Sequence, residues 1–138
     1  MTYTQINKSL RLFPFWLSVG IGLVGAVIYL SLTAKPPVIV SFAFNDKVGH
    51  FLAYAVLMGW FGQIFNGRLA LLFFALGFAL MGVSLEFIQG MGHFRHFEYA
   101  DMVANTIGVV LGLLLTTTIF KGTFYWVEGR LLFNRLKT

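Results

Sequence analysis

The chain has 138 residues, of which 58% are apolar and only 11% are charged, and its mean hydropathy is +0.81. A soluble domain carries roughly 25% charged residues because its surface must be solvated, so most of this surface must contact something other than water. The chain has no cysteine, which excludes disulfides and thiolate sites, and its net charge of +5 comes without a basic, aromatic-lined patch, so no nucleic-acid partner is expected.

Four apolar runs have the length of membrane-crossing helices. They cover residues 12–32, 48–65, 69–88 and 102–120. About 20 residues at about 1.5 Å per residue cross a hydrocarbon core about 30 Å thick. The runs do not alternate as barrel strands do, so their backbone groups must be paired within helices. The sequence therefore predicts an all-α membrane protein, a four-transmembrane-helix bundle forming a single domain over residues 1–138.

The C-terminal segment, residues 123–138, alternates apolar and basic residues. This pattern predicts an amphipathic helix that lies in the membrane interface, with Trp126 at headgroup level. Four spans place both termini on one side, and most cations of the chain lie on that side. The positive-inside rule then predicts a multi-pass membrane protein with both termini in the cytoplasm.

Polar residues collect at the outer ends of three predicted helices, at spacings of three or four that place them on one helix face. They are Asp46, Lys47, His50 and Tyr54 of the second helix, Glu86 and Gln89 of the third, Asp101 and Asn105 of the fourth, and Arg95 of the intervening loop. Glu86 lies within an apolar run, and an intramembrane carboxylate usually faces the bundle interior and finds a partner. A contact between Glu86 and His50 is the first hypothesis.

Glu86, His50 and Asp101 are the predicted catalytic residues, because carboxylates beside an imidazole suit acid–base chemistry. The predicted binding residues are Asp46, Lys47, Tyr54, Gln89, Arg95 and Asn105. A divalent metal is compatible with these ligands, but no spacing fixes a coordination set, and no cofactor is predicted. Nucleophilic catalysis is poorly supported, since Ser84 lies on another helix face.

Plainer interpretations exist for several of these residues. Asp46 and Asp101 would each serve as an N-cap before an apolar run. Glu86 and His50 would form an interhelical hydrogen bond that only fixes packing. Tyr54 would be an interface aromatic residue. Gly108 and Gly112 have the spacing that lets another helix approach closely, and they allow an oligomer through that face.

Three motif blocks carry a resemblance to a known family. They are Asp46-Lys-Val-Gly-His50-Phe-Leu-Ala-Tyr54, then Glu86-Phe-Ile-Gln89 with Arg95, then Asp101-Met-Val-Ala-Asn105-Thr-Ile-Gly108-Val-Val-Leu-Gly112. In this order and at these separations, over about residues 45–115, the chain resembles the VanZ-like family. The resemblance implies a small multi-span protein of the bacterial cytoplasmic (inner) membrane, which is part of the cell envelope. The family's namesake is associated with low-level resistance to the glycopeptide antibiotic teicoplanin.

Three functions are compatible with these features. The first is a membrane enzyme that acts at the outer leaflet on a membrane lipid or a lipid-linked envelope precursor. The second is a non-catalytic protein that binds such a lipid. The third, a small transporter, is the weakest, because no ionisable residue continues the polar set below Tyr54, Glu86 and Asn105.

Overall fold

A computed structural model describes residues 10–33, 46–92 and 97–135, and this part of the chain forms five helices. They are α1 (Phe13–Leu32), α2 (Asp46–Ile64), α3 (Arg68–Met91), α4 (Tyr99–Thr117) and α5 (Thr123–Arg135). The prediction of an all-helical protein is confirmed, and α5 shows that the C-terminal segment is a helix over most of its length.

Two helices extend beyond their apolar runs at the end where the polar residues lie. α3 continues to Met91, and α4 begins at Tyr99 rather than at residue 102. The N-cap of α4 is Glu98, whose side chain makes no capping hydrogen bond. The interpretation of Asp101 as a helix cap is therefore wrong. Asp101 lies inside the first turn of α4. The helix begins before it because a helix can include polar residues when they face other protein segments.

Three of the helices, α1, α3 and α4, are long and apolar enough to cross a membrane. Large apolar side chains cover their outer faces; Phe73 of α3, for example, is 72% exposed. Such faces are unstable in water and suit lipid, so the chain is associated with a membrane. α2 forms close to the predicted range, but it is less apolar because polar residues occupy both of its ends, namely Asp46, Lys47, His50 and Gln63.

α2 lies at the centre of the bundle, with its most extensive contacts along α4, which runs in the same direction. A Cβ atom added at Gly108 would lie 2.3 Å from the carbonyl oxygen of Phe51, and one at Gly112 would lie 2.4 Å from that of Ala55. Only glycine permits such an approach. The two glycines thus bring a helix close, as their spacing predicts, and that helix is α2 of the same chain.

The hydrophobic core surrounds the inner face of α2. It consists of Tyr54, Leu57, Met58 and Phe61 of α2, Phe78 of α3 and Val109 of α4. α1 packs on another side of α2, where the indole N–H of Trp60 donates to the carbonyl oxygen of Trp16 at 2.9 Å. α2 is therefore enclosed by other helices and exposes less of its surface to lipid than its neighbours.

Hydrogen bonds between distant segments define the two ends of the bundle. We call the polar end the one where α2 begins, α3 ends and α4 begins. The end of α1 is also there, because Gln89 Nε2 donates to the carbonyl oxygen of Ser31 at 2.6 Å. At the opposite end, Glu128 of α5 accepts the backbone N–H groups of Arg11 and Leu12, each at 2.8 Å. Each of α1 to α4 thus runs from one end to the other.

Candidate functional site

Three helices bring His50, Glu86 and Asp101 together at the polar end. Each residue offers one potential ligand atom, and these atoms lie within 4.8 Å of one another. We call these three residues the His50 cluster. Glu86 is 1% exposed and Asp101 is 3% exposed, whereas His50 is partly buried. The predicted convergence of these residues is observed, and their catalytic role stays a prediction.

The imidazole of His50 is oriented by Asn105 of α4. Its Nδ1 lies 3.1 Å from Asn105 Oδ1, an amide oxygen that can only accept a hydrogen bond. Nδ1 therefore carries the proton, and in the neutral imidazole Nε2 keeps its lone pair. Nε2 faces Asp101, whose Oδ2 is 3.9 Å away. Asn105 holds His50 in this structure, and its predicted role in binding a ligand stays a prediction.

Asn105 is itself held against α3. A Cβ atom added at Gly82 would lie 3.0 Å from the Asn105 side chain. The glycine thus leaves the space that Asn105, which is 2% exposed, occupies between the two helices. The orientation of His50 consequently depends on the packing of α3 against α4 as well as on a single hydrogen bond.

Glu86 is a buried carboxylate with one oxygen satisfied. Its Oε1 accepts the backbone N–H of Glu98 at 2.8 Å. Its Oε2 has no hydrogen-bond partner in the part of the chain that the structure describes. An acceptor buried without a donor destabilises the fold, so this oxygen suits a cation, a proton or a donor group of a ligand. Glu86 and His50 share the cluster, with potential ligand atoms within 4.8 Å of each other, and a direct contact between them stays a prediction.

Lys47 and Glu98 cover the cluster from its outer side. The Lys47 ammonium forms an ion pair with Glu98 and lies 3.7 Å from Asp101 Oδ1. The side chains of Lys47 and Glu98 are each about half exposed, at 46% and 50%. Lys47 was a predicted binding residue. Glu98 was missed, although its position three residues before Asp101, at the start of α4, was a usable signal.

The other predicted residues have different surroundings. Tyr54 is 1% exposed and lies in the core, so its interpretation as an interface aromatic residue is wrong. Its hydroxyl has no hydrogen-bond partner among the described residues. Gln89 joins α3 to α1 through Ser31. The side chain of Asp46 and the whole of Arg95 lie outside the described residues.

The arrangement suits two kinds of chemistry. An imidazole between carboxylates can transfer protons. One nitrogen and two carboxylates can also hold a divalent cation, because these are common ligand types for such ions. Ser84 is exposed and points away from the buried Glu86 on the same helix. A serine nucleophile at this position is therefore not part of the cluster.

Comparison with known proteins identifies no activity. No family model matches the chain, and no solved structure matches it. The chain is similar to an uncharacterized protein of Schizosaccharomyces pombe, with 32% identity over 80 residues, which is 56% of this chain and 49% of that protein. The matched region thus spans about half the length of the relative. The resemblance to the VanZ-like family stays a prediction.

Proposed function

We propose that the chain is a VanZ-like membrane protein whose polar end binds, and acts on, a membrane lipid or a lipid-linked cell-envelope component. One observation carries this proposal: three helices bring His50, Glu86 and Asp101 into one buried cluster at an end of the bundle. Buried ionisable residues are costly inside a membrane and are usually retained for function. A link to glycopeptide resistance would follow from altered access to envelope precursors.

The proposed topology has four spans, with α2 as the fourth. α2 runs beside α4 from the polar end, where His50 meets Asn105, to the opposite end, where Gln63 Nε2 donates to Thr116 Oγ1 at 2.7 Å. A helix that is enclosed by others can carry polar residues that face them rather than lipid. The lower apolarity of α2 is therefore compatible with a membrane span.

The proposed orientation places the polar end outside and both termini in the cytoplasm. The opposite end and α5 carry most of the described cations, namely Arg11, Arg68, Lys121 and Arg130. The positive-inside rule favours a cytoplasmic location for that end. α5 would lie in the interface, since Tyr125 and Trp126 are exposed and the Arg130 guanidinium lies 4.8 Å from the Trp126 ring centre.

An apolar groove favours a lipid as the ligand. It runs along α2 and α4 from Leu52, two residues beyond His50, to Phe124 of α5, and its cavity volume is about 370 Å³. An acyl chain in this groove would run along α2 toward the polar end, on a different helix face from His50, because residues i and i+2 do not share a face. The groove therefore supports a lipid ligand through its apolar lining alone.

An enzyme and a binding protein would differ in whether the His50 cluster changes the lipid chemically or only binds it. If Glu86 and His50 transfer protons, Glu86→Gln and His50→Ala would each abolish turnover while the protein stays folded. In a host lacking this protein, we expect wild-type complementation to change the profile of phospholipids and envelope precursors, and these variants not to do so. Ser84→Ala, an exposed change on the same helix, should complement as wild type does.

A non-catalytic lipid-binding protein would give a different result in the same strains. If wild type leaves all lipid and precursor profiles unchanged but the purified protein binds lipid through Glu86 and His50, the protein is a non-catalytic lipid-binding protein. If neither the profiles nor lipid binding depends on these residues, the proposed function is wrong. Susceptibility to teicoplanin, measured in the same strains, tests the predicted link to glycopeptide resistance.

A further inference from the structure

We propose that the His50 cluster is a binding site for one divalent transition-metal ion of the Zn²⁺ or Mn²⁺ type. The ligands would be His50 Nε2 and the carboxylates of Glu86 and Asp101. This inference deepens the proposed function. Only the lipid headgroup that would complete the coordination of the ion rests on that function. The absence of thiolates and the mixture of one imidazole with two carboxylates favour these ions over softer ones.

His50 and Asp101 are close enough to share an ion after a small movement of their side chains. Nε2 and Oδ2 are 3.9 Å apart, which is too long for a hydrogen bond. Two ligand atoms about 2.1 Å from a tetrahedral ion are about 3.4 Å apart, so these two atoms would move about 0.5 Å closer when the ion binds. All three potential ligand atoms lie within 4.8 Å of one another, so small side-chain rotations would bring Glu86 to the same ion.

Glu86 supplies an independent observation that points to a ligand. It is 99% buried, with 1% of its surface exposed, and its Oε2 has no hydrogen-bond partner among the described residues. Its other oxygen is fixed by the Glu98 backbone N–H at 2.8 Å, so the carboxylate is held in place. A carboxylate fixed on one side and unsatisfied on the other is the arrangement that a bound cation would complete.

Asn105 has the role of a residue that orients a metal ligand. Histidines that bind metals almost always donate their other ring N–H to an acceptor, which fixes the tautomer. The 3.1 Å contact between His50 Nδ1 and Asn105 Oδ1 provides that acceptor. It leaves Nε2, on the side of Asp101, as the nitrogen with a lone pair.

Three protein ligands would leave coordination positions for water or for a ligand oxygen. The oxygen that best suits such a divalent cation in this setting is that of a phosphate, the group shared by phospholipids and lipid-linked precursors. The substrate class implied is therefore a phosphate-bearing lipid headgroup at the outer membrane face. The ion would bind the phosphate oxygen, and the cluster would position it.

Metal binding can be measured without knowing the lipid. The full-length protein is purified in detergent, stripped with a chelator, incubated with Zn²⁺ or Mn²⁺ alone and desalted, and the metal is measured by mass spectrometry. We expect one ion per wild-type chain and a rise in the melting temperature with that ion. Glu86→Gln and Asp101→Asn should each weaken binding by about tenfold or more, the size of effect seen even for residues that only support metal ligands.

Glu128→Gln is the matched control, because Glu128 is also a buried carboxylate, 2% exposed, but lies at the opposite end of the bundle. It should bind the ion as wild type does. A wild-type protein that shows neither metal retention nor a metal-dependent melting shift would overturn the inference, whatever the variants do. Retention of the ion by both cluster variants would overturn it as well.

The two proposals fail separately. If wild type binds no ion but Glu86→Gln still loses activity on lipids, the metal inference is wrong and the proposed function stands. If wild type binds the ion through the cluster but loss of the ion changes neither lipid profiles nor lipid binding, the metal site stands and the proposed function is wrong.

Discussion

Two glutamates with almost equal burial differ in how they are satisfied. Glu128 accepts the backbone N–H groups of Arg11 and Leu12 and the indole N–H of Trp16, each at 2.8 Å. Glu86 accepts one backbone N–H and keeps an oxygen without a partner among the described residues. A buried carboxylate with several donors stabilises a fold, whereas one left unsatisfied does not. Glu128 is therefore structural, and Glu86 is the residue to connect with function.

This difference predicts a large loss of stability for a change at Glu128 and a small one for a change at Glu86. Glu128→Ala removes three charge-assisted hydrogen bonds and should destabilise the protein by about 3 kcal/mol or more. Metal-free Glu86→Gln should cost less than about 1 kcal/mol, because the amide keeps an acceptor for the Glu98 N–H and removes an unsatisfied charge. Thermal unfolding in detergent, followed by circular dichroism, measures both. A larger loss for Glu86→Gln than for Glu128→Ala would show that these roles are reversed.

Asn105 is predicted to act on the metal through His50. Asn105→Ala removes the acceptor of Nδ1–H and should weaken metal binding about 10- to 100-fold, although all three ligands remain. Asn105→Asp keeps an acceptor at the same place and should restore binding. Metal titration of both variants, with the imidazole tautomer read from ¹⁵N chemical shifts, separates orientation from general loss of structure. Equal losses in both variants would contradict a role in orientation.

At the scale of helices, the close approach of α2 and α4 depends on small residues. A Cβ atom at Gly108 would meet the Phe51 carbonyl oxygen at 2.3 Å, whereas one at Gly77 of α3 would meet nothing within 4 Å. Gly108→Ala must therefore push the two helices apart and is expected to destabilise the protein by about 1–3 kcal/mol, the usual cost of overpacking.

Gly77→Ala is the control for that change, because it alters the same residue type in another helix where space is open. It should be neutral or slightly stabilising, since alanine favours the helix. Gly108→Ala should also weaken metal binding, because the separation of α2 from α4 moves His50 away from Asp101. If both alanine variants unfold at the wild-type temperature, the described contact between α2 and α4 is wrong.

The helices could be predicted because apolar runs of this length have few alternatives in a membrane. Their ends could not, since α3 and α4 continue through polar residues that other helices cover. The spacing of Asp101 and Asn105 placed both on one face, and the structure shows that face against α2. Glu98 and Glu128 were missed, because their partners lie on segments far away in sequence.

At the scale of the whole molecule, the two ends of the bundle decide the topology. Glu128 holds the start of α1 beside α5, so α1 begins at the end where α4 finishes. If all four helices cross the membrane, the N-terminus lies on the same side as the α2–α3 and α4–α5 turns. If α2 did not cross it, the start of α1 and the α4–α5 turn would lie on opposite sides, and the contacts of Glu128 with Arg11 and Leu12 would be lost.

Single cysteines distinguish these topologies, because the chain has none of its own. We expect Arg11→Cys, Asn66→Cys and Lys121→Cys to be protected from a membrane-impermeant maleimide in intact cells and to be labelled after the membrane is permeabilised. Tyr99→Cys, near the polar end, should be labelled in intact cells. Labelling of Lys121→Cys from outside, with Arg11→Cys protected, would instead mean three spans. In that case His50 of α2 would lie on the other side of the membrane from Glu86 and Asp101, so the His50 cluster and the function proposed for it would be wrong.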